Sequence, residues 1–164
     1  MQNDQTGQRI DFFIGKCREH NLKITPQRVA IFEALAASRD HPSADRIYRT
    51  VKKQFPNVSF DTVNRALLTF AEIGIVEVVE GRGIPRRYDS DTKSHHHFHC
   101  TQCGQIIDFH NEDYDRLYVP AELRQLHTIN KKRVVLYGVC NQCQRQPDVF
   151  GEKGIQNQNK EEER

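Results

Sequence analysis

Apolar residues near the start of the chain recur at the spacing of a helix. Ile10, Phe13, Ile14 and Cys17 lie three or four positions apart, which predicts an amphipathic helix over about residues 9–20. Cys17 falls on the apolar side of this helix. Because no second cysteine lies near it in the sequence, we expect it to be a small buried hydrophobe rather than a metal ligand.

Three further helices are predicted, and each begins at a residue that can cap it. The second starts at Thr25-Pro26, since threonine accepts hydrogen bonds from the first amides of a helix and proline fits the first turn. Ser43 caps the third helix. Either Ser59 or Asp61 caps the fourth, which ends near Gly74.

Two β-prone runs follow the fourth helix, at residues 75–80 and 84–89, around the turn Gly81-Arg82-Gly83. Short helices followed by such a hairpin predict a winged helix-turn-helix, in which the helix before the wing enters the DNA major groove. Asn64 suits adenine and Arg65 suits guanine, although both residues are also ordinary for a solvent-facing helix. The candidate DNA contacts are Arg28, Ser59, Thr62, Asn64, Arg65 and Arg82.

Composition and charge agree with this reading. The 164 residues are 37% hydrophobic and 28% charged, and no apolar run approaches the ~20 residues of a membrane helix. The first residues lack the segments of a signal peptide, so we expect a cytoplasmic protein with reduced cysteines. Up to Tyr88 there are 14 Lys and Arg against 10 Asp and Glu, and from Asp89 there are 10 against 12. The mildly basic first part is compatible with nucleic-acid contact.

Two cysteine pairs, Cys100/Cys103 and Cys140/Cys143, each have two residues between their thiols. Two such turns supply the four thiolates of a tetrahedral shell, which predicts a structural zinc site. Such a site contributes on the order of 10 kcal/mol to folding. Between the pairs we predict strands at residues 105–109 and 133–139, and a helix near residues 114–126 that contains Pro120.

Four histidines precede the first cysteine pair: His95, His96, His97 and His99. In a strand, His95, His97 and His99 point one way and His96 the other, so the first two could chelate one ion. Two carboxylates near in sequence and one histidine between the second and third helices complete the candidate donors, which are His41, Asp89, His95, His97 and Asp108. A mixed imidazole and carboxylate set suits iron(II) or manganese(II). A solvated histidine run that binds metal weakly is the alternative.

Together, these motifs resemble the ferric uptake regulator family of bacterial metal-dependent repressors over roughly residues 8–145. The motifs that carry the resemblance are Thr25-Pro26-Gln27-Arg28, His41-Pro42-Ser43-Ala44, Thr62-Val63-x-Arg65, Arg87-Tyr88-Asp89, His95-x-His97-x-x-Cys100-x-x-Cys103-Gly104 and Tyr137-Gly138-Val139-Cys140-x-x-Cys143.

The resemblance implies an α+β homodimer. A winged-helix DNA-binding domain would span residues 1–88 and an α/β dimerisation domain residues 89–145. It also implies that the cysteines hold structural zinc and that the five donors form a regulatory site between the domains. An ion held there would fix the two DNA-binding heads at the separation of a palindromic operator.

Within the family, aspartate at positions 89 and 108 resembles the peroxide-responsive branch. There, ferrous iron reacts with hydrogen peroxide and oxidises a ligating histidine, here His41 or His95, and the operator is released. An iron- or zinc-responsive uptake regulator is the alternative, because aspartate and glutamate are chemically close.

Three departures from the family pattern stand out. Asn64 replaces a tyrosine that is common in the recognition helix. A further metal site of the family would draw on Ser94, His96, Asp115 and Lys132, and the serine and lysine make it look lost. His99 either tunes metal preference or faces solvent.

The segment 146–164 is polar and is expected to be a disordered tail.

A zinc-stapled protein-interaction module is the alternative from another functional class. A metallohydrolase ranks last, because the sequence offers no obvious general base, so we expect no enzyme activity.

Overall fold

The computed structural model describes residues 2–79 and 85–145, with side chains from residue 7 onward. The wing turn, with the candidate DNA contact Arg82, and the segment 146–164 therefore lie outside the described residues. No helix in the described part of the chain is long and apolar enough to cross a membrane. The chain divides into two compact units, Met1–Lys93 and Ser94–Arg164.

Helices make up most of the first unit: α1 (Gln2–Glu19), α2 (Pro26–Ala36), α3 (Ala44–Gln54) and α4 (Phe60–Glu72). The side chains of Thr25, Ser43 and Ser59 accept backbone amide hydrogen bonds and cap α2, α3 and α4. The cap of α4 is thus Ser59, and Asp61 lies in its first turn. α1 begins well before residue 9, because its polar first residues carry no apolar period that could predict them.

A short hairpin follows α4. Gly74 has a φ of +72°, the left-handed conformation in which helices often end. The strands β1 (Glu77–Val79) and β2 (Arg87–Asp89) then pair antiparallel, with Glu77 opposite Asp89. Asp89 therefore belongs to the first unit, and the division falls after Lys93 rather than after residue 88.

Aromatic side chains form the centre of the first unit's core. The ring of Phe13 stacks on Phe32 with centroids 4.7 Å apart and meets the edge of Phe70 at 5.3 Å. Tyr88 of the hairpin is buried in the same core. Cys17 is also fully buried there, which confirms its structural role, and this burial raises the pKa of its thiol.

The second unit is built on a three-stranded sheet of β3 (His96–Cys100), β4 (Ile106–Phe109) and β5 (Val135–Gly138). β3 lies in the middle, antiparallel to β4 and parallel to β5. Three short helices complete the unit: α5 (Glu112–Asp115), α6 (Ala121–Leu126) and α7 (Asn141–Arg145).

The single helix predicted near residues 114–126 is wrong, because the chain forms two shorter helices there. Pro120 immediately precedes α6 and has ψ 144°, an extended conformation. Proline has no backbone N–H to donate and clashes with the preceding helical turn, so a helix cannot run through it undisturbed.

Candidate metal centres and nucleic-acid interface

The four predicted zinc ligands come together in the second unit. Cys100 ends β3 and Cys103 lies in the following turn, where the Gly104 amide bonds the Cys100 carbonyl at 3.0 Å. Cys140 lies between β5 and α7, and Cys143 lies within α7. Pairing of β3 with β5 brings the two segments together, because Cys100 lies opposite Gly138 in the parallel register.

The thiol geometry fits one tetrahedral ion. The Sγ atoms of Cys100 and Cys143 are 3.9 Å apart and those of Cys103 and Cys140 are 3.8 Å apart. All four sulfur atoms lie within 4.8 Å of one another. A tetrahedron with Zn–S bonds of about 2.3 Å has sulfur atoms about 3.8 Å apart. The cysteine set therefore fits structural zinc, as the sequence predicted.

The thiols differ in how readily they ionise. Burial raises the pKa of Cys103, and burial together with the neighbouring thiols raises the pKa of Cys143 to about 12. Burial also opposes ionisation of Cys100, but backbone amides that donate to its sulfur outweigh this and lower its pKa to about 6. One such amide is that of Cys140, whose nitrogen lies 3.3 Å from the sulfur. The lowered pKa of Cys100 favours its thiolate, which is the form that binds metal.

A histidine and an aspartate that are far apart in sequence meet inside the first unit. The Nε2 atom of His41 lies 3.5 Å from Oδ2 of Asp89, and both side chains are buried. The hairpin creates this pair: the Tyr88 amide donates to the Pro42 carbonyl at 3.1 Å, and the Arg87 guanidinium donates to the His41 carbonyl at 3.3 Å. His41 itself adopts a left-handed φ of +48°. Such a conformation costs about 1–3 kcal/mol in a residue other than glycine and is typical of functional positions.

The second unit holds a separate group of donors. The Nε2 atoms of His95 and His97 are 2.9 Å apart, and they lie 3.9 Å and 3.5 Å from Oδ1 of Asp108. The sheet sets this geometry, because His97 and Asp108 are directly opposite in the β3–β4 ladder. Both histidines are fully buried. Two imidazole nitrogens this close share a proton or a cation, since two bare lone pairs would repel.

The donor chemistry of these two groups fits iron(II) or manganese(II). Neighbouring ligands on an octahedral ion with bonds of about 2.1 Å lie about 3 Å apart. The spacings around His97 approach this value, and nitrogen and carboxylate oxygen are donors that these ions accept. The structure thus places His41 with Asp89 in one unit and His95, His97 with Asp108 in the other.

His96 faces away from that group, as the strand alternation predicted. Its Nδ1 accepts a hydrogen bond from the Val134 amide at 3.3 Å, and its Nε2 lies 3.3 Å from the Asn111 carbonyl. Both ring nitrogens are therefore engaged by backbone groups. Nearby, the Ser94 hydroxyl donates to Asp115 at 2.5 Å. His96 Nε2 also lies 3.7 Å from Oδ1 of Asp115, so Ser94, His96 and Asp115 come together, and the loss of the further metal site of the family stays a prediction.

The lysine of that further site bonds to a backbone carbonyl. Lys132 Nζ donates to the Leu117 carbonyl at 3.1 Å. The histidine next to the first thiol, His99, is buried, and its ring centroid lies 5.3 Å from that of Tyr137. The solvent-facing alternative for His99 is therefore wrong.

The candidate DNA contacts within the described residues all belong to the first unit. Ser59 and Thr62 lie at the start of α4, with their hydroxyl oxygens 2.8 Å apart. Arg65 extends from the next turn and forms a 3.0 Å ion pair with Asp61, and both side chains are largely exposed. Asn64 is partly exposed between them. These residues form one solvent-facing end of the helix that a winged helix inserts into DNA.

The remaining described candidate, Arg28, lies near the start of α2 and donates to the Lys23 carbonyl at 2.5 Å. Sequence reasoning missed two residues that the structure brings forward. Arg87 supports the carbonyl of a candidate donor, and its position two residues before Asp89 was the available signal. Phe60 is a large apolar residue exposed at the first position of α4. An aromatic residue directly after a helix cap was the signal there.

One chain thus combines a winged helix, a four-thiolate site, and buried imidazole and carboxylate donors. This combination defines the class of metal-sensing DNA-binding regulators. Residues 19–137 match the ferric uptake regulator family, and the chain belongs to this family. The family membership and the α+β fold expected from the sequence are thereby confirmed.

Several relatives carry names that describe a peroxide response. The peroxide-responsive repressor PerR of Staphylococcus saprophyticus is 38% identical over 136 residues, which are 83% of this chain and 92% of that protein. The protein of the same name from Staphylococcus aureus is 37% identical over 131 residues, 80% of this chain and 88% of that one.

Solved structures share the fold. The Campylobacter jejuni peroxide stress regulator has a TM-score of 0.61 at 28% identity and covers 79% of this chain and 98% of its own. The Helicobacter pylori ferric uptake regulator has a TM-score of 0.66 at 23% identity, covering 85% of this chain and 93% of its own, which indicates a common fold.

Proposed function

We propose that this chain is a homodimeric repressor that binds a palindromic DNA operator while iron(II) or manganese(II) is bound, and that hydrogen peroxide ends this binding in the iron form. Membership of the ferric uptake regulator family supports the regulatory role. In this proposal the protein regulates transcription in the cytoplasm and catalyses no metabolic reaction.

The observation that carries the proposal is the pair of buried donor groups, one in each unit. His41 with Asp89, and His95 and His97 with Asp108, each bring imidazole nitrogen close to carboxylate oxygen. Neither group alone offers the six ligands that iron(II) and manganese(II) favour. We propose that one ion takes ligands from both groups, so that its binding couples the metal-binding unit to the winged helix.

The peroxide response is supported by the aspartates and by the relatives. Peroxide-responsive repressors of two staphylococci are 37–38% identical over most of this chain. Iron supplies the redox chemistry when it is bound. The net change proposed for the protein is insertion of one peroxide oxygen into a ring C–H bond of His41 or His95, while peroxide is reduced to water. The oxidised ring is a poorer donor, so metal and operator are released.

Exposed apolar side chains support the dimer. Among the described residues of the second unit, eight large apolar residues are at least two-fifths exposed: Ile107, Leu117, Tyr118, Leu123, Leu126, Ile129, Leu136 and Tyr137. Apolar surface of this extent is usually covered by a partner. A second copy of the chain would cover it symmetrically, and two winged helices would then face two operator half-sites.

The test is a DNA-binding titration. Zinc-loaded protein supplied with manganese(II) first selects an operator from random duplexes. The affinity of the protein for this operator is then measured by fluorescence anisotropy with iron(II), manganese(II) or added zinc(II), each with and without peroxide. We expect tight binding with iron and with manganese. Peroxide should abolish binding in the iron form alone and add one oxygen to a peptide that contains His41 or His95.

The exposed His20 provides an internal control, because its peptide should stay unmodified. Retained binding with unmodified peptides would point instead to an iron- or zinc-responsive uptake regulator. No DNA binding with any metal would favour a zinc-stapled protein-interaction module.

A further inference from the structure

The first residue of the recognition helix presents an aromatic ring to solvent. Phe60 directly follows the capping Ser59, and 45% of its surface is exposed. Other apolar residues of α4, such as Val63 and Phe70, are buried in the core. Phe60 therefore contributes little to the core that the helix covers.

A neighbouring helix holds this ring in place. Tyr48 of α3 meets Phe60 edge-to-face, with centroids 5.9 Å apart and planes at 88°. The ammonium of Lys52 in turn donates to the Tyr48 hydroxyl at 2.8 Å. Edge-to-face contact restricts the orientation of the Phe60 ring, so part of its surface stays available at the helix end.

Phe60 lies one helical turn before Asn64, on the same side of α4. Residues four apart in a helix lie on the same side, so Phe60 is one turn before Asn64. Asn64 is a candidate for base contact, because an amide can pair with adenine. Phe60 therefore lies on the same side of α4 as a residue that can reach base edges.

The polar neighbours of Phe60 have hydrogen-bonding groups, whereas the Phe60 side chain has none. The hydroxyls of Ser59 and Thr62 pair with each other, and Arg65 pairs with Asp61. The major groove displays one apolar group on its base edges, the 5-methyl of thymine, and phenylalanine is among the side chains that contact it. We propose that Phe60 is a specificity-determining residue that contacts a thymine 5-methyl group in each operator half-site.

This inference rests on the proposed operator binding, and the test separates the two. In the selected operator, each thymine is replaced in turn by uracil, which keeps the same hydrogen-bonding edge but lacks the methyl group. Replacement in one half-site alone should weaken binding of the wild-type manganese form by about fourfold, the effect of one methyl group that is no longer buried, and replacement in both half-sites by about fifteenfold. The Phe60→Ala protein should bind the thymine and uracil operators with equal affinity.

Phe12 provides a matched control, because it is an exposed phenylalanine of α1 with 39% of its surface accessible. Phe12→Ala should keep the full preference for thymine. Zinc content and circular dichroism report whether each variant is folded. If Phe60→Ala does not fold, Phe60→Gln is compared in the same way. Glutamine keeps a longer side chain and has a good helix propensity.

The outcomes are distinct. Loss of the thymine preference in the Phe60 variant alone supports the assignment. An undiminished preference in that variant, or no effect of any uracil on the wild type, overturns it while operator binding stands. Failure of the wild type to bind any duplex overturns the proposed function and this inference together.

Discussion

Replacing Cys103 with serine should unfold the second unit and leave the first unit folded. Among the described residues, the buried cluster of the second unit consists of three of the zinc ligands, Cys100, Cys140 and Cys143, with Phe98, Cys103 and Val139 packed beside them. In the described part of the first unit, the apolar core has 17 buried residues and includes none of these thiols. The zinc site is therefore the main core of the second unit.

The magnitudes favour unfolding. A domain this small gains at most about 3–5 kcal/mol from its apolar core. Structural zinc contributes on the order of 10 kcal/mol, because the ligands come together only in the folded state. Serine is a much poorer zinc ligand than a thiolate, and the remaining thiols would be buried without the ion. The loss thus exceeds the stability that the rest of the unit supplies.

Hydrogen exchange of the full-length protein, read by mass spectrometry, measures this directly. Amides of β3 and β5 should lose protection in Cys103→Ser, while those of α2 and α4 keep it. Zinc per chain should fall well below one. The control is Cys17→Ala, which removes a thiol from the first core and should keep one zinc and full protection in β3. A zinc-free Cys103→Ser protein with wild-type protection in β3 and β5 would refute the reasoning.

Three further predictions concern metal and operator binding. Zinc uptake at neutral pH should release close to four protons, because the second unit is unfolded without the ion and its four thiols, with an ordinary pKa of about 8.5, are then protonated. Calorimetry in buffers of different ionisation enthalpy counts these protons, and a count of one or none would contradict a site of four thiolates. His97→Ala should lose metal-dependent operator binding with an unchanged circular dichroism spectrum, and wild-type affinity would count against its role as a ligand. Arg87→Met should weaken manganese binding about tenfold with zinc retained, because the His41 backbone loses its support; an unchanged affinity in a manganese titration would mean that strand pairing alone positions that histidine.

Local features of the fold could be predicted from the sequence. Thr25 and Ser43 cap their helices because a side-chain oxygen next to the first turn is a short-range signal. The opposite orientations of His96 and His97 follow from the alternation of any strand. The spacing of the cysteines likewise predicts the zinc site, because a single turn brings the two thiols of each pair together.

Features that depend on distant residues could not be predicted in this way. The left-handed φ of His41 directly precedes the segment that pairs with β2, where Ser43 lies opposite Arg87, and residue pattern alone does not reveal this pairing. Asp89 was predicted to open the second domain, but its backbone pairs with Glu77 in the first. The position of Phe60 on Tyr48 likewise depends on how two helices pack.

The central claim is that one exchangeable ion takes donors from both units. Manganese binding to zinc-loaded wild type, His41→Ala, His97→Ala and the double variant, followed by electron paramagnetic resonance, tests it most directly. The account predicts that either single substitution removes the same manganese equivalent and that the double variant loses nothing more. If each single variant instead kept a manganese ion at the other histidine, with only the double variant losing both, the two donor groups would be separate sites and the claim would be contradicted.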